Sequence, residues 1–319
     1  MPHIVLVDTD SLRAGSRLVW MLIAAMGLAT AATFWASSLS VTWKIFPYVP
    51  AAIMACGALN LFYRFFRPDP AIVYATELIT QILLIGLVGG LLAYGAAASG
   101  LPYRDAELLA ADRWLGFDLQ WYLGFVDSRP WLARLSFVAY NTMLWQAPIV
   151  FFVLLLTRHV ERLQSFVASL AISLAITVAI FALFPALGWH GYLFPNLSFI
   201  RDFVPHLKEV RSGALRAIPV DDIRGVISFP SYHAAVAMLA IWALWPVRFI
   251  RWPALMLNVL MIASTPIEGA HYFVDVIGGL AIGACAVPIA VWMRDAIRRH
   301  WADSARGRSI PEHLITAPD

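Results

Sequence analysis

Two polar clusters in this hydrophobic sequence carry side chains that could perform phosphate chemistry. Residues 228–233 read SFPSYH, and residues 271–275 read HYFVD. His271 and Asp275 are four residues apart, one helical turn, so both side chains are expected on one helical face. A carboxylate bonded to one imidazole nitrogen fixes the tautomer and leaves the other nitrogen as a nucleophile. The spacing therefore predicts that His271 is a nucleophile and that Asp275 orients it. An Asp inside an apolar run is costly, which favours a functional pair over one that only joins helices.

The first cluster is expected to open a helix. Pro230 suits the first helical turn, and the amides of Ser231, Tyr232 and His233 would then be unpaired. Helix N-termini bind anions through such amides and the helix dipole, and the Ser231 hydroxyl could add a donor. The alternative is ordinary capping by Ser228 with no role for His233. A functional phosphate site is favoured because both clusters begin hydrophobic runs at the same membrane face.

The composition indicates an integral membrane protein. Of the 319 residues, 61% are hydrophobic and 13% are charged, and the mean hydropathy is +0.72. Soluble domains carry about 25% charged residues. The hydrophobic runs are continuous, which predicts membrane-spanning helices. The net charge of +3, with basic residues at loop ends, gives no indication of a nucleic-acid partner.

The hydrophobic runs predict an all-α polytopic membrane helix bundle of about eight transmembrane helices, with a six-helix catalytic core. We place the runs near residues 18–36, 46–65, 71–98, 131–156, 163–187, 229–247, 252–267 and 271–293. Residues 1–68 would hold a tail and two accessory helices, 69–295 the membrane catalytic domain, and 296–319 a basic cytoplasmic tail. Gly86 and Gly90 are spaced for close helix contact, as are Gly279 and Gly283. Each of the two cysteines lies in an apolar run, which predicts buried thiols and no disulfide.

Basic residues predict the orientation. With the N-terminus inside, each cytoplasmic loop receives arginines: Arg64, Arg67, Arg158, Arg162, Arg248, Arg251 and the tail beginning at Arg294. The segments 99–129 and 188–228 and both polar clusters then face outward. We expect a protein of a bacterial inner (plasma) membrane with its site facing the periplasm or exterior.

The two clusters carry a resemblance to a known family. Pro230-Ser231-x-His233 resembles the Pro-Ser-Gly-His motif of the type 2 phosphatidic acid phosphatase superfamily, and His271-x-x-x-Asp275 resembles the end of its last motif. The wording HYFVDVIGG is similar to the inositol phosphorylceramide synthase branch. The resemblance implies that His271 attacks phosphorus through a phosphohistidine, that Asp275 supports it, and that His233 protonates the leaving group. The implied substrate is a lipid phosphate or phospholipid.

The sequence departs from the family pattern in three places. Tyr232 stands where many members have Gly, Thr265 takes the position of the last motif's Arg, and the first motif is not intact. Cations must neutralise the equatorial phosphate oxygens. Four residues of the 188–228 segment are the phosphate-binding candidates: Lys208, Arg211, Arg216 and Arg224. Each is equally a candidate anchor for lipid headgroups.

Several polar residues admit two interpretations. Residues 99–129 read as an amphipathic interfacial helix, either a platform for a lipid or a cover for the bundle. Tyr140, Asn141 and Gln146 could bond neighbouring helices or contact substrate. Glu268 could bind a hydroxyl acceptor or headgroup, or cap the helix that follows.

We expect a metal-independent membrane enzyme without a cofactor, because imidazole is the expected nucleophile and arginines supply the positive charge. His190 and His206 have no partner at metal-binding spacing, so no metal site is proposed. A lipid phosphatase uses water as acceptor, whereas a transferase of the inositol phosphorylceramide synthase type uses a sugar, inositol or lipid hydroxyl. A transporter or proton relay would instead carry ionisable residues through the depth of the bilayer. The sequence does not indicate an oligomeric state.

Overall fold

The fold is an all-α polytopic membrane helix bundle, as predicted. The computed structural model describes residues 9–43, 48–194 and 203–306. The start of the predicted N-terminal tail, a stretch of the 188–228 segment and the end of the basic tail lie outside these residues.

The elements follow the hydrophobic runs with several additions. In chain order they are α1 (Thr9–Ala36), β1 (Ser40–Thr42), α2 (Tyr48–Phe65), α3 (Pro70–Ala97), α4 (Asp105–Trp114), α5 (Leu119–Asp127), α6 (Pro130–Asn141), α7 (Met143–Leu156), α8 (Val160–Leu183), α9 (Gly188–Leu193), α10 (Phe203–Ser212), β2 (Ala217–Pro219), α11 (Tyr232–Leu244), α12 (Arg251–Glu268) and α13 (Phe273–Arg306).

The number of membrane crossings was predicted at about eight. Among the described residues, four segments are long and apolar enough to cross by length and composition: Asp10–Ala36, Pro70–Ala97, Val160–Leu193 and Phe273–Trp301. The pair α6 and α7 adds a fifth only if its bend of 57° is allowed within one span. The 13 residues of α11 reach about 20 Å, less than the ~30 Å hydrocarbon core. The count of eight therefore stays a prediction.

The helix α8 is the centre of the bundle. It packs against α1, α3, α7, α11 and α13, and most of its residues are buried. The hydroxyls of its buried serines donate hydrogen bonds to main-chain carbonyls of the preceding turn. The hydroxyl of Ser169, for example, donates to the carbonyl of Ser165 at 2.7 Å. Small residues of this kind let neighbouring helices approach closely in a membrane.

Contacts between helix ends define two ends of the bundle. At one end, Gln164 donates to the carbonyl of Leu12 and joins the starts of α8 and α1. At the same end, Arg162 donates to the carbonyl of Ala243 and holds the end of α11. Arg294, late in α13, donates to Ser165 of α8 at this same end. The opposite end therefore carries the end of α1 and the starts of α11 and α13. The short parallel pair of β1 and β2, which the sequence did not predict, lies there and joins α1 to the segment before α11.

Two details differ from the sequence expectations. The helix α13 continues to Arg306, so the start of the predicted basic tail is part of it. Cys285 is exposed and Cys56 is half-buried, so neither thiol is buried as predicted. The physical reason is that lipid-facing positions of a membrane helix are as apolar as core positions, so an apolar run does not identify the buried face.

Candidate active site

His271 lies two residues before α13, in the loop that leads into it. Its Nδ1 is 2.5 Å from the carbonyl oxygen of Ser228 and 3.3 Å from Oδ2 of Asp275. Because both neighbours are acceptors, Nδ1 carries the proton, and Nε2 keeps the lone pair. The sequence predicted the contact with Asp275 but not the closer contact with Ser228. The expected shared helical face is wrong, since His271 precedes the first helical residue.

Asp275 accepts two structural hydrogen bonds besides its contact with His271. Oδ2 accepts the backbone N–H of Tyr272 at 2.8 Å, which is the acidic half of a capping box at the start of α13. Its main-chain carbonyl accepts the N–H of Ser231 at 3.0 Å, which ties α13 to the start of α11. The carboxylate is fully buried, and Oδ1 has no hydrogen-bond partner among the described residues. Asp275 is therefore held rigidly beside the imidazole.

The start of α11 differs from the sequence expectation. The helix begins at Tyr232, Ser231 is its N-cap, and the Ser231 hydroxyl oxygen accepts the N–H of Ala234 at 3.4 Å. Pro230 therefore lies before the first helical turn rather than in it. The amide of Ser231 is bonded to Asp275 and is not an open donor for phosphate. Ser231 thus takes the capping role that the sequence interpretation had given to Ser228.

The two histidines face each other across the contact between α11 and α13. Their ring centroids are 6.4 Å apart with an angle of 61° between the planes, and both rings line one cavity. Two glycines of α13 permit this approach: a Cβ on Gly283 would lie 2.7 Å from the carbonyl of Ala235, and one on Gly279 would collide with the carbonyl of Ser231. The predicted packing role of this glycine pair is confirmed.

Tyr140, at the end of α6, stacks on His233. The ring centroids are 4.0 Å apart and the planes differ by 15°. A methyl group on Gly269 would lie 2.9 Å from the Tyr140 hydroxyl and would collide with the edge of the His271 ring. The hydroxyl of Tyr140 and the imidazole of His271 therefore flank the same point. Tyr140 therefore lines the cavity beside both histidines, and its stacking also joins α6 to α11.

Two aspartates of α4 hold the loop before α13, a role that the sequence analysis missed. Asp112 accepts the N–H groups of Phe273 and Val274, each at 2.8 Å. Asp105 accepts the N–H of Leu187 at 3.0 Å and the hydroxyl of Tyr272 at 3.1 Å.

Both α4 carboxylates are 1% exposed, so they are not solvated charges of an interfacial helix. Burial raises the pKa of Asp105 and the pKa of Asp112, while the hydrogen bonds oppose that shift. Their seven-residue spacing, with Leu108 between them, places both on one face of α4 and is a signal that could have indicated this role.

Of the four cationic candidates, only Arg224 lines the cavity with the histidines. Its side chain pairs with Asp222, with Nε 2.7 Å from Oδ1, and its backbone N–H donates to the Tyr94 hydroxyl. Arg211 lies over the ring of Tyr103, 4.2 Å from the centroid, and donates to the carbonyl of Leu101.

The other two cationic candidates, Arg216 and Lys208, also lie away from the histidines. Arg216 donates to the carbonyl of Ser37 at the end of α1. Lys208 is half-buried on α10 and does not line the cavity. The structure thus does not bring Lys208, Arg211 or Arg216 to the histidines. Arg211 and Arg216 donate instead to carbonyls of other loops, those of Leu101 and Ser37, which residue spacing alone does not reveal.

Two further candidates, Glu268 and Tyr232, line the cavity. Glu268 is the last residue of α12 and reaches the cavity beside Gly269. The ring of Tyr232 forms part of the wall, and its hydroxyl donates to the carbonyl of Leu170 on α8 at 3.3 Å. The cavity also contains His190 and Asn141, and its volume is about 1120 Å³.

A family model described as the PAP2 superfamily matches residues 106–289. No curated protein and no solved structure matches the chain. The similarity to the inositol phosphorylceramide synthase branch is not shown by this match. More than half of the chain lies within the matched range, which contains both histidines and Asp275, and this integral membrane protein therefore belongs to the PAP2 superfamily of phosphatase-type enzymes.

Proposed function

We propose that this protein cleaves or transfers the phosphate, or the phospho-headgroup, of a membrane lipid through a phosphohistidine at His271. The observation that carries the proposal is the hydrogen bonding of His271. Ser228 and Asp275 occupy Nδ1, and this leaves Nε2 as the lone-pair nitrogen of a ring that lines the cavity opposite His233.

In the first step, Nε2 of His271 attacks phosphorus. A bond forms between nitrogen and phosphorus, and the bond from phosphorus to the leaving oxygen breaks. His233 gives its proton to that oxygen as a general acid. The imidazole of His271 becomes positively charged, and the buried carboxylate of Asp275 stabilises that charge.

In the second step, His233 acts as a general base. It takes a proton from the acceptor hydroxyl, whose oxygen attacks phosphorus as the bond to Nε2 breaks. When a phosphomonoester has been cleaved, water as acceptor releases phosphate and an alcohol as acceptor yields a new phosphomonoester. When the phosphohistidine carries a headgroup, water releases the phospho-headgroup and an alcohol yields a phosphodiester. His271 returns to its neutral form with the proton on Nδ1.

Charge neutralisation at phosphate is assigned to Arg224, the candidate that lines the cavity. Tyr232 contributes a wall of the site. Ser231 acts through its cap of α11, which positions His233 two residues later. No metal is required, because imidazole is the nucleophile and arginine supplies the positive charge.

A transferase with a sugar, inositol or lipid hydroxyl as acceptor is the second candidate. The observation that favours it is Glu268, whose side chain lines the same cavity and could accept a hydrogen bond from a hydroxyl. Under either version the site faces the periplasm or exterior of a bacterial inner membrane.

The test is incubation of purified protein with lipid phosphates and phospholipids labelled in the phosphate, with and without candidate alcohols. Free phosphate as the sole product identifies a phosphatase, and label on an alcohol identifies a transferase. We expect His271→Ala to form neither product and a chelator to leave the wild-type rate unchanged. Activity that chelation removes and a divalent ion restores would overturn the metal-independent mechanism.

A further inference from the structure

The cavity that holds the histidines continues as an apolar arm between helices. On the α3 side, its wall is a single helical stripe at i, i+3, i+4, i+7, i+8 and i+11, formed by Ile82, Ile85, Gly86, Gly89, Gly90 and Ala93. At 1.5 Å per residue this stripe is about 16 Å long. Near its Ala93 end, the Tyr94 hydroxyl accepts the N–H of Arg224, so this end of the stripe adjoins the polar part of the cavity.

The other walls of the arm are also apolar. The helix α7 contributes Met143, Leu144 and Ala147, and α8 contributes Leu170 and Leu174. Both α3 and α7 pack on α8, so α8 forms the floor and the other two helices face each other across the arm. Leu144 is 81% exposed, which puts it at a rim open to the surrounding lipid.

The glycines of the α3 stripe are not equivalent. A Cβ on Gly89 would collide with Leu174, and one on Gly90 would lie 3.0 Å from Ile223, so these two serve close packing. A Cβ on Gly86 would meet nothing within 4 Å. The predicted packing role of Gly86 is therefore wrong. Its missing side chain leaves free space in the arm itself.

The size and lining of the cavity suit an amphiphile. Small-molecule pockets measure about 300–1,000 Å³, and this cavity of about 1120 Å³ is larger. Its ionisable groups, including His233, His271 and Arg224, lie at one end, whereas the arm presents aliphatic side chains and glycine. A phosphate at the histidines would place an attached hydrocarbon chain along the arm.

We propose that the arm between α3 and α7 binds one hydrocarbon chain of the lipid substrate, and that Gly86 sets how long a chain fits. This inference rests on the proposed function. Because the bilayer is as apolar as the arm, burial of the chain supplies little net driving force. The arm therefore selects by shape, and filling it should exclude long chains.

The test uses n-alkyl phosphates with octyl, dodecyl and hexadecyl chains as single-chain substrates for the purified full-length protein. Phosphate release gives kcat/KM for each chain, and the readout is the ratio of hexadecyl to octyl. Gly86→Phe should lower this ratio on the order of tenfold or more, the rate equivalent of the ~1–3 kcal/mol that overpacking costs. The ratio does not depend on how much of the variant is folded.

The matched control is Gly57→Phe on α2. A Cβ there also meets nothing within 4 Å, but Gly57 does not line the cavity. It should keep the wild-type ratio. An unchanged ratio in Gly86→Phe, or an equal fall in Gly57→Phe, would overturn the inference. If His271→Ala still hydrolyses every alkyl phosphate, the proposed function itself fails, which is a distinguishable outcome.

A second measurement does not depend on turnover. A hexadecyl phosphate with a photoreactive group at the end of the chain is bound to the protein, irradiated and located by mass spectrometry. Label on the α3, α7 or α8 residues of the arm, reduced in Gly86→Phe, supports the inference. Label confined to other lipid-facing positions contradicts it.

Discussion

The imidazole of His233 stacks on the phenol ring of Tyr140, with the ring centroids 4.0 Å apart. The two rings belong to different helices, and Tyr140 lies just before the break between α6 and α7. Stacking of this kind fixes the plane of the imidazole. It therefore positions the proposed general acid relative to His271.

We predict that Tyr140→Leu slows turnover of a substrate with an alkoxide leaving group, whereas Tyr140→Phe keeps most of it. Loss of an aromatic pair, worth about 0.5–1.5 kcal/mol, corresponds to a two- to tenfold fall in rate. A substrate with a nitrophenolate leaving group should be less affected. Phe137→Leu on the lipid-facing side of α6 is the control and should have no such dependence. Equal losses on both leaving groups would mean that Tyr140 only supports folding.

Alanine variants of the two histidines should differ in how their activity depends on the leaving group of the substrate. His271→Ala should abolish turnover of every substrate, because it removes the proposed nucleophile. His233→Ala should spare attack on a nitrophenyl phosphate, whose leaving group needs no proton, and fail on an alkyl phosphate. Rates on both substrates, with detection of acid-labile phosphohistidine, measure this. Identical losses for both variants on both substrates contradict the assigned roles.

Asp275→Asn should reduce kcat without abolishing it. An orienting partner of a histidine is worth between ~10² and ~10⁴ in rate. We expect a loss inside that range, because the Ser228 carbonyl still accepts from Nδ1. Single-turnover kinetics of phosphohistidine formation would measure it. A variant with the wild-type rate would show that Ser228 alone fixes the tautomer.

Asp112→Ala should destabilise the protein and lower activity, although Asp112 does not line the cavity. The N–H groups of Phe273 and Val274 would lose their acceptor, at about 1–3 kcal/mol for each group left unpaired. Thermal unfolding in detergent gives the stability. Asp127→Ala, an exposed aspartate at the end of α5, is the control and should leave Tm unchanged. A normal Tm for Asp112→Ala would show that Asp112 does not hold the loop before α13.

The sidedness of the site can be tested by labelling in intact cells. In a Cys56→Ser, Cys285→Ser background, Ser212→Cys at the end of α10 should react with an impermeant thiol reagent. Arg248→Cys, in the loop between α11 and α12, should react only after permeabilisation. This expectation rests on the arginines at the cytoplasmic loops. The reverse pattern would invert both the topology and the side of the active site.

From the sequence alone, the all-α membrane class of the protein and the superfamily of its two polar clusters could be predicted. Long, continuous apolar runs predict membrane helices, because backbone N–H and C=O groups in lipid must bond to each other. The sequence also predicted the contact between His271 and Asp275 and the position of His233 at the start of a helix. These features are local, since periodicity and helix starts depend on residues close in the chain.

Which polar residues meet could be seen only in the folded protein. Arg224 reaches the cavity and Arg216 does not, because Arg216 finds the carbonyl of Ser37 far away in the sequence. The burial of Asp105 and Asp112 depends on donors that lie more than eighty residues later in the chain. The role of Gly86 likewise depends on the space that α3, α7 and α8 leave between them. Such long-range contacts follow from the packing of helices. Residue spacing along one helix can indicate which side chains share a face, as for Asp105 and Asp112, but it does not indicate which distant residues they meet.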